Sequence, residues 1–191
     1  MVIYDISKEL FSTTVYPGDP VPTSKSWFAL ERGDVCNLTS ICLGSHSGTH
    51  IDAPKHFMAH GKDVAEVSLQ KCVGDCQVVY CNGEITEEFI KNTLEDGIDK
   101  ILFRGDVVLG IKAADSIVKR GINLVGVEAS TVGDKQSQVL VHQKLLNNEI
   151  VILENLQLDH VPEGKYFLAA QPLKMQGVDG SPVRAILIAD D

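Results

Sequence analysis

The sequence lacks any apolar stretch near the roughly 20 residues that a helix needs to cross a bilayer. Runs such as 150–153 and 186–189 fall far short, and no basic segment feeds an apolar one at the N-terminus, so neither a membrane span nor a signal peptide is expected. Basic residues are also scarce: 17 stand against 26 acidic ones, for a formal net charge of −9. The densest basic spot is the pair Lys119 and Arg120, so a nucleic-acid backbone would meet a repulsive field. Cysteine is sparse and odd in number, at 36, 42, 72, 76 and 81. That pattern argues against a disulfide framework and for a reducing, cytoplasmic setting. Cys72 and Cys76 resemble half of a thiolate metal site, but no second pair with matching spacing follows, so free thiols are expected. Repeats, linkers and low-complexity tracts are missing too, which leaves residues 1–191 as one domain.

What remains, 44% hydrophobic and 23% charged residues, is enough for one sizeable core. The spacing predicts an early strand in YDISKEL, a structured loop over 16–22, and a strand over 37–43. Further strands are expected at 76–80, 100–103, 124–127, 150–153, 166–170 and 183–189. Helices are expected at 85–94, 111–120 and 139–148, with Thr86 as a cap for the first and Gly121 as a stop for the second. The sum is a compact α/β domain with mixed strands.

The chemistry concentrates in HSGTHIDAPKH, which holds His46, His50, Asp52 and His56 within eleven residues. Gly48 and Pro54 oppose a regular helix there. In an extended chain, separations of four, two and four residues are all even, which predicts that these four side chains share one side. Imidazoles with a carboxylate and no thiolate suit a catalytic zinc, manganese or iron site. Such a site needs more ligands than this run supplies. His142 on an apolar helical stripe and Glu154 at the end of an apolar strand are the candidates, because a glutamate there is costly to bury without a cation or a partner.

Each of these residues has a plainer explanation. His142 alone reads as a hydrogen-bonded core histidine, and Glu154 alone as the partner of Arg104 or Arg184. The run 46–56 could brace a turn, although four ionisable groups converging without a cation would be mutually awkward. Ser47 and Ser181 sit near glycine but lack the setting of a nucleophile elbow. Thr49 is expected to hydrogen-bond near the site, and His60 and His160 to lie at the surface. Trp27 and Phe28 fall in the early loop region as either a substrate wall or a subunit contact.

HSGTHIDAPKH resembles the HxGTHxDxPxH signature of the cyclase-like metal-dependent hydrolase family, which includes kynurenine formamidases and isatin hydrolases. The likeness extends along the chain, through DIS at the start, YPGD at 16–19, VGVEAS at 125–130, ILENL, and VPEGKYFLAAQPLKMQGVDGSPVRAIL. The resemblance implies a swivelling β/β/α fold, a homodimer or larger homo-oligomer, and a zinc pair or manganese. By the same similarity His46, His50 and Asp52 hold a first metal, Asp52 bridges to a second held by His142 and Glu154, and His56 is the catalytic acid or base. Tyr16 stands where formamidases usually carry tryptophan, and Glu128-Ala129-Ser130 replaces the commoner acidic and Thr-Pro arrangement.

A divalent pair would lower the pKa of a bound water from about 15.7 toward neutrality and stabilise a developing oxyanion. By the same resemblance, hydrolysis of a small aryl formamide or related amide is the expected reaction, with N-formylkynurenine as the leading substrate. Ring opening of a cyclic amide or lactone, and metal binding without turnover, are the alternatives.

Overall fold

The computed structural model describes residues 1–189. Asp190 and Asp191, the last two residues of the expected domain, lie outside the described residues. The first strands are β1 (Val2–Asp5), β2 (Thr23–Phe28), β3 (Leu38–Cys42) and β4 (His50–Asp52). After α1 (Leu69–Cys72) come β5 (Val73–Tyr80), β6 (Gly83–Ile85), α2 (Glu87–Thr93), β7 (Lys100–Arg104) and β8 (Val107–Leu109). The remainder is α3 (Ile111–Lys119), β9 (Leu124–Val127), α4 (Gln138–Asn147), β10 (Val151–Glu154), β11 (Gly164–Ala169), β12 (Gly180–Pro182) and β13 (Ile186–Ala189).

Nine strands form one mixed sheet in the order β1-β13-β11-β5-β7-β9-β10-β4-β12. Strands β5, β7, β9 and β10 run parallel, and the flanking pairings are antiparallel. The central strands are buried on both faces, which explains their nearly unbroken apolar sequence. Alternation sorts their side chains. Val125, Val127 and Ile152 face a core shared with Ile117, Leu145 and Leu146 of α3 and α4. Leu124, Val151 and Leu153 face a second core with Ile6, Leu158, Val161 and Leu187. Gly126 permits that second packing, because a Cβ there would lie 2.3 Å from Leu102 Cδ2 and 2.8 Å from Leu156 Cδ1. The result is one α/β domain, with helices on one side and the curled sheet and its loops on the other.

The expected elements appear with shifted ends. Ile85 belongs to β6, so α2 starts only after Thr86, whose hydroxyl accepts from Phe89 N at 3.0 Å. Gly121 ends α3 at φ +71°. Glu154 is the last residue of β10 rather than a residue abutting it. Strand β2 is the main addition: its TSKSWF sequence carries little apolar alternation, yet it pairs with β3 as a two-stranded hairpin. No residue of either strand is buried.

Candidate metal centre and active site

The site is built where β4 runs between β10 and β12. Antiparallel register sets His50 opposite Glu154 and Gly180 opposite Asp52. Directly opposed residues point to the same face, and Asp52, two residues from His50, points there as well. His50 Nε2 consequently lies 3.5 Å from both Asp52 Oδ1 and Glu154 Oε2. Asn155 then turns the chain away at φ +58°, a left-handed conformation that asparagine tolerates better than most residues.

Helix α4 supplies His142. Its Nδ1–H donates to Gln138 O one turn earlier, at 2.7 Å, which aims Nε2 at the strand residues. Nε2 lies 3.5 Å from Asp52 Oδ2 and 3.3 Å from Glu154 Oε1. Phe57 stacks on the ring with centroids 4.5 Å apart. His50 is held in the same way, with Nδ1–H donating to Gly48 O at 2.8 Å. In both rings a backbone carbonyl takes the outer nitrogen and leaves the inner one for the site.

His46 and His56 reach the cluster by a different route from the expected one. Only His50–Asp52 is a strand. His46 sits in a turn before Gly48, whose φ is +64°, and His56 ends a 3₁₀ turn begun by Pro54. Turns, and not even spacing along an extended chain, bring these two rings together, with centroids 3.9 Å apart. His46 Nδ1 meets Asp52 Oδ1 at 2.8 Å, and its Nε2 meets Asp179 Oδ2 at 2.9 Å. The same Asp179 oxygen lies 3.1 Å from His56 Nδ1.

Asp179 is the residue that sequence reasoning did not single out. It lies in GVDGS, far along the chain from the histidine run, and an acidic residue followed by a glycine reads as a turn. The one available signal was its place inside the QGVDGSPVR segment of the family resemblance.

The electrostatics follow from burial. His50, Asp52, His142 and Glu154 are buried, and the ring of His46 nearly so. Burial opposes charge on His46, yet the hydrogen bonds and charges of Asp52 and Asp179 outweigh it and raise its pKa to about 9. Burial likewise opposes charge on His142, and Asp52 and Glu154 raise it to about 10. His50 is raised in the same sense by Glu154 and Asp52 against its own desolvation. Burial would raise the Asp52 carboxyl, but His142 and His46 hold it well below the usual carboxylate range. The carboxylates thus demand positive charge at their centre, and protons on the imidazoles meet that demand.

A divalent cation would also meet it, and the residues fit one. Asp52 Oδ2 is buried and, among the described residues, is the buried side-chain oxygen or nitrogen that makes no hydrogen bond, with His142 Nε2 3.5 Å away as an ion-pair contact. An orphan of this kind costs free energy unless something binds it. His50, Asp52 and Glu154 offer ligand atoms within 4.8 Å of one another, and so do His46, Asp52 and His56. Asp52 belongs to both groups. These groupings pair His46 with His56 and His50 with Glu154, a different division from the one the family resemblance implied. The plainer explanations of Glu154 fail: Arg104 donates to Val161 O, and Arg184 pairs with Asp5. Glu154 instead accepts from Val132 N at 2.9 Å.

A cavity of about 260 Å³ opens onto this cluster, lined also by Tyr16, Asp19, Phe57, Gln138 and Asn155. Larger hollows beside Arg184, of about 580 Å³, and beside Lys165, of about 710 Å³, contain no histidine. Gln138 Nε2 donates to Tyr16 Oη at 3.4 Å, joining the early loop to α4. Thr49 supports the site from behind, donating to Asn155 O at 2.6 Å and accepting from Lys8 N at 2.8 Å. Trp27 and Phe28 are exposed on β2 and do not line the cavity. His60 and His160 are exposed, Ser181 Oγ donates to Pro182 O, and Cys72 and Cys76 are buried free thiols.

The Cyclase family model, described as "Putative cyclase", matches residues 4–134. Solved structures similar along nearly the whole chain include a potential metal-dependent hydrolase with cyclase activity, 28% identical with a TM-score of 0.83, covering 97% of this chain and 96% of that one. A predicted metal-dependent hydrolase from Bacillus stearothermophilus is 28% identical with a TM-score of 0.82, covering 97% of each chain. Isatin hydrolase A from Labrenzia aggregata, bound to benzyl benzoate, shares the fold at 22% identity and a TM-score of 0.85, covering 99% of this chain and 94% of that one. With more than half its length matched by one family model, and with that fold assembling the signature histidines and carboxylates around one buried aspartate, this chain belongs to the Cyclase family.

Proposed function

We propose that this chain is a metal-dependent hydrolase that cleaves the C–N bond of a small aryl formamide or related amide, N-formylkynurenine being the leading substrate. The observation that carries this reading is the buried cluster of His50, Asp52, His142 and Glu154 around an Asp52 oxygen that no hydrogen bond satisfies. By the family resemblance His46 and His50 would complete a first site with Asp52, and Asp52 would be shared with a second held by His142 and Glu154, although the ligand-atom distances group His46 with His56 and His50 with Glu154. Zinc is the expected ion, with manganese the alternative and two ions per subunit the expected count. When bound, such a cation supplies Lewis-acid polarisation of a carbonyl and lowers the pKa of water.

The chain's own groups do the rest. His56 lines the cavity with Nδ1 turned to Asp179, and its Nε2 makes no hydrogen bond among the described residues. Nε2 accepts the proton of the attacking water and returns it to the departing nitrogen, so that one water is consumed as the C–N bond breaks to give an acid and an amine. Phe57 and Tyr16 supply aromatic walls against an aryl substrate.

A homodimer or larger homo-oligomer belongs to the same proposal. Hairpin β2–β3 leaves Trp27, Phe28, Leu38 and Ile41 exposed, and an isolated two-stranded hairpin is marginal without a partner surface. Trp27 and Phe28 are therefore assigned to a subunit contact. No helix among the described residues is long and apolar enough to cross a membrane. A cytoplasmic location and a small-molecule amide or lactone substrate, with no nucleic-acid or membrane partner, complete the proposal.

The likeness to isatin hydrolase A favours a second reading, ring opening of a cyclic amide. Assays of the zinc- and manganese-loaded protein on N-formylkynurenine, formylanthranilate and isatin separate the two: formate release supports the first, and acid production without formate supports the second. Bound metal with no hydrolysis across the panel would leave a metal-binding protein without turnover, and no bound metal would end the proposal.

A further inference from the structure

We infer that Asp179 is a positioning residue that sets opposite tautomers on two histidines of the site, Nε2–H on His46 and Nδ1–H on His56. The inference rests on the metal-dependent reading above. One oxygen, Oδ2, faces both rings, 2.9 Å from His46 Nε2 and 3.1 Å from His56 Nδ1. The other, Oδ1, accepts from the Ser45 hydroxyl at 2.9 Å, so the carboxylate cannot rotate away without losing a third contact.

The backbone that carries Asp179 is held just as firmly. Ala53 N donates to Asp179 O and Val64 N to Val178 O, each at 2.9 Å. Gly177 N donates to Asp63 Oδ2 at 2.6 Å, and Asp63 is itself fixed as the N-cap of the turn at Val64–Glu66. On the other side, Gly180 has no room for a side chain: a Cβ would lie 2.6 Å from His46 Cε1. Asp179 and Gly180 thus sit directly against the His46 ring, and the backbone on either side of Asp179 is held by hydrogen bonds.

The tautomers follow from which carboxylate a cation would engage. His46 has a carboxylate at each ring nitrogen, Asp52 at Nδ1 and Asp179 at Nε2. A ligating imidazole is neutral and keeps one N–H. Asp52 belongs to both candidate ligand groups, whereas Asp179 belongs to neither, so Asp179 remains the acceptor and the proton stays on Nε2. That leaves the His46 Nδ1 lone pair beside Asp52. For His56, Asp179 is the carboxylate in hydrogen-bond contact with the ring among the described residues, and it takes Nδ1–H. The Nε2 lone pair is then free to receive a proton. Free histidine in water favours the opposite tautomer, with the proton on Nε2, which would present a donor where the reaction needs a base. Partners that fix the outer nitrogen of a ligand or catalytic histidine are each worth about 10–100-fold in affinity or activity.

The test uses zinc-loaded protein labelled with 15N in its histidine rings, read by long-range 1H–15N correlation. Wild type is expected to show Nε2–H on His46 and Nδ1–H on His56; the same tautomer on both would overturn the inference without any variant. In Asp179→Asn and Asp179→Ala the His56 signals are expected to move toward Nε2–H. Turnover should fall about 10- to 100-fold while KM changes little and zinc stays bound at saturating zinc. Unchanged ring shifts in Asp179→Ala would refute the assignment, and zinc lost from Asp179→Asn at saturating zinc would make Asp179 a ligand instead. Wild-type protein that takes up no zinc would defeat the hydrolase reading, and this inference with it, whereas zinc uptake with unaltered tautomers defeats this inference alone.

Discussion

His50 and Glu154 face each other directly across the antiparallel pairing of β4 and β10, with Nε2 and Oε2 3.5 Å apart. Residues from distant parts of the chain thereby become neighbours on one sheet face, and Asp52 joins them by simple alternation. Helix α4, which precedes β10, needs only to place His142 over that face to close the cluster.

Asp52 is shared by both candidate ligand groups, so replacing it should empty both. Asp52→Ala dialysed against zinc is expected to retain less than about a tenth of the parent's metal, since the remaining imidazoles lose their bridging charge. Metal analysis on the folded variant checks this; two ions retained would refute the bridging role.

The proposed role of His56 as acid and base predicts that its loss spares the metal. His56→Asn is expected to bind zinc as the parent does while turnover falls roughly 100-fold or more. Joint loss of zinc and activity would move His56 into the ligand set, a grouping that the distances to His46 and Asp52 also allow.

Chelator-treated protein should lose stability on moving to alkaline pH. The pKa values of His46 and His142 are raised from 6.5 to about 9 and about 10, so their protonated pairs stabilise fully below about pH 6.5. That contribution fades as pH rises through 9 to 10. Asp52 and Asp179 act in the opposite sense: depressed below 3.8, they stabilise above it and lose that contribution on acidification. Zinc affinity should rise over the range in which the metal-free protein weakens, because ligation releases the imidazole protons. Thermal melts and chelator competition from pH 6 to pH 9 measure both trends; parallel slopes would contradict the scheme.

Two glycine substitutions should separate packing from chemistry. Gly126→Ala forces a methyl against Leu102 and Leu156 in the core, at a cost of about 1–3 kcal/mol in stability with metal binding kept. Gly180→Ala presses on the His46 ring and on Ile51 O, and should weaken metal binding as well as stability. Equal metal affinity in the two variants would show that the position of His46 does not matter.

Much of the fold was legible because its central strands are short apolar runs and α3 and α4 carry helical apolar spacing. Strand β2 was not, since its polar residues are exposed on both faces and only pairing with β3 makes it a strand. The six residues expected at the site do converge. The expected reason holds for His50 and Asp52, which alternate along β4, and fails for His46 and His56, which turns deliver. Asp179 escaped notice because a lone aspartate before a glycine has no local pattern that distinguishes a half-buried contact to a histidine from a surface turn.

By itself, the sequence determined the kinds of atoms available: imidazole and carboxylate in one dense run, apolar segments enough for one mixed α/β domain, and a net acidic balance of charge. Tertiary structure decided which of those atoms meet. Register across β4, β10 and β12 placed Glu154 and Gly180 beside the histidine run, and the segment at 177–180 brought in a carboxylate that nothing local foretells. The physical reason is that side-chain type is written residue by residue, whereas the charge felt by a buried imidazole depends on neighbours that only long-range pairing can supply.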